Sequence, residues 1–148
     1  VRPVNRFLVA MLVVIVLMFI LDTHAKADTW GVASVTSYHF DDGNHNQKNL
    51  GVGLEQTINE DWSVMAGEYK NSMYRTSVYA GVVWKPLRLG DFHFGFAGGA
   101  ITGYLSHPVP LAVPTMSWEH QRIGANLFFA PHVKDAPGVL GLQVKFKF

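Results

Sequence analysis

The stretch Gly138-Val-Leu-Gly-Leu-Gln-Val-Lys-Phe-Lys-Phe148 decides the fold. Leu140, Leu142, Val144, Phe146 and Phe148 are apolar at every second position, and Gly141, Gln143, Lys145 and Lys147 alternate with them. A period of two marks an extended strand with one oily face and one small or polar face. A strand of this kind closing on an aromatic residue fits the last strand of an outer-membrane β-barrel, whose lipid side is apolar and whose rims carry aromatic girdles.

Working back from that strand, the same alternation recurs. Ile123, Ala125, Leu127 and Phe129 mark a seventh strand, and a proline-rich sixth runs from the Leu105–Pro108 loop to Trp118. Phe92, Phe94 and Phe96 alternate with His93, Gly95 and Ala97 in a fifth that reaches to about Tyr104. Ser77–Trp84, Trp62–Tyr69, Leu50–Thr57 and Thr29–Phe40 give the fourth to the first, with turns at Pro86–Asp91 and Asn59–Asp61. Eight is an even number and the smallest size of an up-and-down antiparallel transmembrane barrel. The turns after strands two, four and six are short, so both termini are expected on the periplasmic side and the longer loops outside.

Residues 1–27 read as a cleaved signal peptide. Arg2 and Arg6 precede an uninterrupted apolar run from Phe7 to Leu21, and Ala25-Lys26-Ala27 supplies a small-x-small cleavage pattern. That run falls short of the roughly 20 residues a spanning helix needs, which disfavours a membrane anchor. Residues 28–148 then form one barrel domain. Without the signal, nine basic and ten acidic residues remain, a balance that gives no basis for nucleic-acid binding. The chain has no cysteine, so disulfide and thiolate chemistry are excluded. Its seven histidines show no metal-ligand spacing, and Gly51-x-Gly53 precedes no helix, so no metal site and no cofactor are expected.

Gly51, Gly53, Gly81, Gly95, Gly124 and Gly141 fall opposite the apolar stripes and are expected in the lumen. They either leave room there for a hydrocarbon chain or relieve crowding where strands curve sharply. Pro108, Pro110 and Pro114 each remove a ladder donor within or beside the sixth strand. In a closed barrel this leaves a weak seam, a way in from the bilayer.

Tyr69-Lys70-Asn71-Ser72, Trp84-Lys85-Pro86-Leu87, Phe92-His93-Phe94-Gly95, the prolines from Pro108 to Pro114, Ala130-Pro131 and Lys145-Phe-Lys-Phe148 follow one another in a telling order and spacing. In these residues the chain, from about Trp30 to Phe148, resembles the lipid A palmitoyltransferase family of outer-membrane barrels. The resemblance implies an integral protein of the Gram-negative outer membrane that moves an acyl chain from a phospholipid to lipid A. The C-terminal strand is the expected point of engagement with the barrel-assembly machinery, and a monomer is expected, although the sequence does not itself give the oligomeric state. The family's functional histidine is matched by His39 and its serine by Ser72, while Asn71 stands where the family has aspartate. A histidine within reach of a hydroxyl serves as general base at neutral pH, and a carboxylate that fixes its tautomer adds a large factor. His39 and Ser72 also fit a plain rim histidine and ordinary loop chemistry. The strand from Ser77 to Trp84 is too short to place the glycine that sets acyl length in the family. Lys48, Lys70, Arg75 and Lys134 are candidate contacts for lipid A phosphates. Two other readings stay open: a non-catalytic barrel that protects or shields the envelope, and a lipid A deacylase using water as acceptor.

Overall fold

The computed structural model describes residues 27–133 and 137–148. The expected signal segment, apart from Ala27, and Lys134 lie outside the described residues. Eight strands follow in chain order: β1 (Thr29–His39), β2 (Gly51–Thr57), β3 (Trp62–Lys70), β4 (Thr76–Leu89), β5 (Phe92–Ile101), β6 (Val109–His120), β7 (Ile123–Ala130) and β8 (Val139–Lys147). Each pairs antiparallel with its neighbour, and β1 pairs with β8 from Trp30↔Lys147 to His39↔Val139, closing the barrel. Closure leaves no edge strand with unpaired backbone groups. The connections 40–50, 71–75 and 102–108 gather at one end with residues 131–133 and 137–138, and 58–61, 90–91 and 121–122 at the other.

Three strands differ from the sequence expectation, the simplest being β6, which runs past Trp118 to His120 and so carries Glu119. β4 does not stop at Trp84 but runs to Leu89, because a register shift between Trp84 and Leu87 absorbs Lys85 and Pro86. A bulge tolerates the donor that proline lacks, so the proline that reads as a turn sits inside a 14-residue strand. At 14 residues β4 is therefore not the shortened strand that the sequence leads one to expect. β5 stops at Ile101 because the chain turns at Gly103, whose φ of +89° only glycine adopts without strain.

The register fixes which side chains face in. Trp62↔Trp84, Trp84↔Phe96 and Phe96↔Pro114 form one outward row, and Glu55↔Met65, Met65↔Gly81 and Gly81↔Gly99 one inward row. Exposed Val52, Val82, Leu87, Leu89, Phe146 and Phe148 make the outer surface apolar, as the alternation predicts. All six singled-out glycines share the inward face of buried neighbours: Gly51 and Gly53 with Glu55, Gly81 with Val83, Gly95 with Ala97, Gly124 with Asn126, Gly141 with Gln143.

The interior is not the uniformly roomy, apolar bore that those glycines suggest. Its short-turn half is filled by a polar cluster that the alternation does not announce. Glu55 of β2, Lys85 of β4, Glu119 of β6 and Lys145 of β8 form a closed square, each lysine bridging both carboxylates at 2.6–3.2 Å. Ser63 and Asn126 donate the remaining bonds to Glu55, at 3.0 Å each. The Lys145 ammonium also lies 4.6 Å from the centre of the buried Trp30 ring. Such a set is stable in a low-dielectric interior only when every charge is paired and hydrogen-bonded, and here each is.

Candidate functional site

Above the charged square the lumen opens. A cavity of about 700 Å³ runs toward the long-loop end, walled by Met65, Ile101, Leu111, Val113, Phe128 and Val139 among others. Its floor is a hydrogen-bonded layer in which Gln143 Nε2 donates to Tyr79 Oη (3.2 Å) and to Ser34 Oγ (3.3 Å). Asn126 joins that layer to Glu55 below. The cavity is therefore one-ended.

The glycines contribute unevenly to this space. Gly81 and Gly141 line the cavity, as does Gly99, which the sequence reading passed over. At Gly141 an added Cβ would meet nothing nearer than 4.0 Å, so its place is open. Gly53 instead makes room for a side chain: an added Cβ would lie 2.6 Å from the Tyr79 hydroxyl. Gly124 is covered by the Lys145 stem in the same way. Both the room-making and the crowding-relief reasons for glycine thus operate, at different levels of one barrel.

The seam is in the upper wall. β5 pairs with β6 along the whole of its own length, from Ile101↔Val109 to Phe92↔Trp118, but β6 pairs with β7 only from Thr115↔Phe128 to His120↔Ile123. Pro110 and Pro114 lie in the stretch of β6 that has no β7 partner, and Pro108 just precedes it. Residues two or four apart in a strand direct their amides to the same neighbour, so these prolines withhold donors from one side. Since the β5 ladder is intact, that side is β7. Cavity-lining Val109, Leu111 and Val113 lie along this stretch of β6 that lacks a β7 partner.

At the mouth, His39 and Ser72 line the same cavity, but no hydrogen bond joins them. His39 ends β1 only 3 % exposed, and neither of its ring nitrogens has a hydrogen-bond partner. Its ring stacks on that of His45, with centroids 4.2 Å apart. Ser72 Oγ lies 3.4 Å from Tyr104 Oη, which in turn meets Tyr69 Oη at 3.1 Å. Asn71 does not border the cavity. It is fully buried with its amide consumed: Nδ2 donates to Ser77 Oγ and Gly103 O, and Oδ1 accepts from the amides of Met73 and Arg75. This is the bonding of a residue that shapes the 71–75 turn, where Tyr74 takes a φ of +60°.

The mouth also holds residues the sequence reading left aside. The 40–50 connection folds inward, pinned by the buried Asn46 and Asn49. Asn49 Nδ2 donates to Lys70 O (2.9 Å), and Asn46 donates from its amide to Ser72 O (2.9 Å) and from Nδ2 to Asn71 O (3.1 Å). Within this loop His45 Nε2 reaches the Asp41 carboxylate at 2.9 and 3.1 Å. That hydrogen bond holds the Asp41 carboxyl below its ordinary range. An i, i+4 His–Asp pair in a polar loop carries no strand or helix signal, so only the fold brings it to the cavity. Among the described residues no cluster of three or more His, Asp or Glu is arranged to hold a metal.

No family model and no curated protein matches the sequence. The fold matches solved structures. The designed barrel TMB2.3, solved by solution NMR, aligns at a TM-score of 0.64 and 13 % identity, over 85 % of this chain and 98 % of that one. A second structure, from de novo design of transmembrane β-barrels, aligns at 0.61 and 12 %, over 81 % and 95 %. The N-terminal barrel domain of Pseudomonas aeruginosa OprF aligns at 0.50 and 10 %, over 81 % and 97 %. The chain thus has the closed eight-stranded architecture of transmembrane β-barrels. Its resemblance to the lipid A palmitoyltransferases rests on the sequence motifs.

Proposed function

We propose that the protein is an outer-membrane barrel that takes one acyl chain of a phospholipid into its lumen and transfers it to lipid A in the outer leaflet. The observation that carries this reading is the one-ended apolar cavity of about 700 Å³, with histidine and serine side chains at its mouth. That volume lies in the range of small-molecule sites, and walls of aliphatic and aromatic groups suit a hydrocarbon tail. The apolar outer surface supports placement in a bilayer, and the open upper seam between β6 and β7 supports access from it. The hydrogen-bonded floor, with the charged square beneath it, supports the chain stopping inside the barrel. The reaction breaks one ester and forms another, so it needs no redox partner.

The bonding of Asn71 favours a second reading. Its amide has no capacity left for orienting a base, which suits a barrel that holds a lipid chain without reacting with it.

Mass spectrometry of lipid A from cells expressing the full chain separates the alternatives. Gain of one acyl chain is the expected result. Loss of a chain makes the protein a deacylase, and an unchanged spectrum makes it a non-catalytic barrel.

A further inference from the structure

The acyl-transfer reading requires a base at the cavity mouth, and His39 is poorly built for it. Neither nitrogen of its ring has a partner that would fix a tautomer, and the ring lies beneath that of His45. His45 has what His39 lacks. Its ring lines the same cavity, is one-quarter exposed, and is held by Asp41 through Nε2. A carboxylate only accepts, so Nε2 carries the proton and Nδ1 presents the lone pair. The backbone after His45 is tied to the serine's loop, Asn46 donating its amide to Ser72 O at 2.9 Å, and both His45 and Ser72 line the cavity.

We infer that His45 is the general base of this site and Asp41 its positioning carboxylate, both supplied from the 40–50 loop. This rests on the acyl-transfer reading and assigns its residues. In the step, the acceptor hydroxyl gives its proton to His45 Nδ1 as its oxygen bonds to the acyl carbonyl carbon. The carbonyl–glycerol oxygen bond then breaks, and His45 returns the proton to the departing glycerol oxygen. One ester is exchanged for another, with the proton and electron count unchanged. The hydroxyls of Ser72 and Tyr104, both on the cavity, are the donors available to the carbonyl oxygen while it carries charge. His39 supplies the flat buried face that keeps the His45 ring in place.

The test uses the folded barrel in vesicles of phosphatidylethanolamine with a labelled acyl chain and purified lipid A as acceptor. His45→Gln should lower transfer by roughly 100-fold or more, the usual contribution of a positioned base. Asp41→Asn should lower it by less and change its pH profile, and His39→Gln should cost less than His45→Gln. His107→Gln, on a different loop, is the unaffected control. A proton NMR spectrum of the barrel in micelles supplies a readout independent of turnover. A downfield imidazole N–H of His45, observed at low temperature because the pair is partly open to water, should be present in wild type and absent from Asp41→Asn. An active wild type with undiminished His45→Gln, or with His39→Gln the more damaging, overturns this assignment alone. A His45 resonance indifferent to Asp41→Asn overturns the dyad whatever the activity. An inactive wild type that keeps the resonance overturns acyl transfer, and the role of His45 in it, while leaving the pair as a structural fact.

Discussion

Lys145 and Glu55, on strands that do not pair with each other, meet inside the barrel at 3.1 Å, with side chains 0 % and 1 % exposed. Together with Lys85 and Glu119 they draw one residue from each even-numbered strand, so the square braces the cylinder across its diameter as well as along its wall. Removing one member leaves its partners charged and buried. Glu55→Gln is expected to destabilise the folded barrel by about 3 kcal/mol or more, the usual cost of breaking a buried pair. Glu119→Gln should cost less, because that side chain is 21 % exposed and water compensates part of the loss. Urea unfolding in lipid vesicles, followed by tryptophan fluorescence, gives both values. Equal effects would mean that water reaches the Glu55 level.

The two classes of lumen glycine should respond oppositely to a side chain. Gly53→Ala places a Cβ 2.6 Å from the carbonyl oxygen of Ala66 and from the Tyr79 hydroxyl, so it forces backbone or ring to move. A cost of about 1–3 kcal/mol is expected, typical of overpacking. Gly141→Phe projects into open cavity with nothing nearer than 4.0 Å to its Cβ, and should fold with a midpoint close to wild type. It should nevertheless exclude an acyl chain and lower transfer by roughly 100-fold, as misplacement of a bound substrate does. A folded, fully active Gly141→Phe barrel would remove the cavity from the mechanism.

Asn71 provides a third test, and here the turn geometry sets the direction. Asn71→Asp exchanges the amide that donates to Ser77 Oγ and Gly103 O for a carboxylate facing the Gly103 carbonyl oxygen, in a fully buried position. Each buried polar group left unsatisfied costs about 1–3 kcal/mol. The substitution should therefore lower stability and activity together, measured by unfolding and by lipid A mass spectrometry. A gain in activity would show instead that the family's aspartate acts from this position.

The sequence made the cylinder legible because alternation is local: a period of two in each strand, repeated eight times, fixes both the strand number and the outward face. The same pattern located the inward glycines and the prolines at the seam. It did not disclose what fills the interior, for a reason visible in Glu55, Lys85, Glu119 and Lys145. Glu55 and Lys145 are polar members of ordinary alternating strands, whereas Lys85 and Glu119 follow the tryptophans at which their strands are expected to end, and only the observed extension and stagger of the sheet bring the four to one level. Pro86 misled in the other direction, since a proline after Trp84 reads as a turn and only the partner strand reveals a bulge. At the mouth, His39 and Ser72 were found through motif likeness. His45 and Asp41 sit in a segment of loop-forming residues whose inward fold depends on Asn46 and Asn49 reaching across to 70–72.

The opening beside β6 makes a final prediction that separates access from chemistry. The β6–β7 ladder ends at Thr115↔Phe128, so continuing its register would set position 114 opposite Phe129. Proline at 114 has no amide to donate there, and its ring faces outward with that of Phe96. Pro114→Thr supplies the missing donor and a β-branched side chain suited to a strand. Amide hydrogen exchange should then show protection at position 114 and slower exchange at the end of β7. If lipid enters through this gap, transfer should slow while the His45–Asp41 resonance is unchanged, because the loop carrying that pair is not touched by the new rung. An added rung without any loss of rate would place the route over the rim of the long-loop end and leave the prolines a purely architectural role.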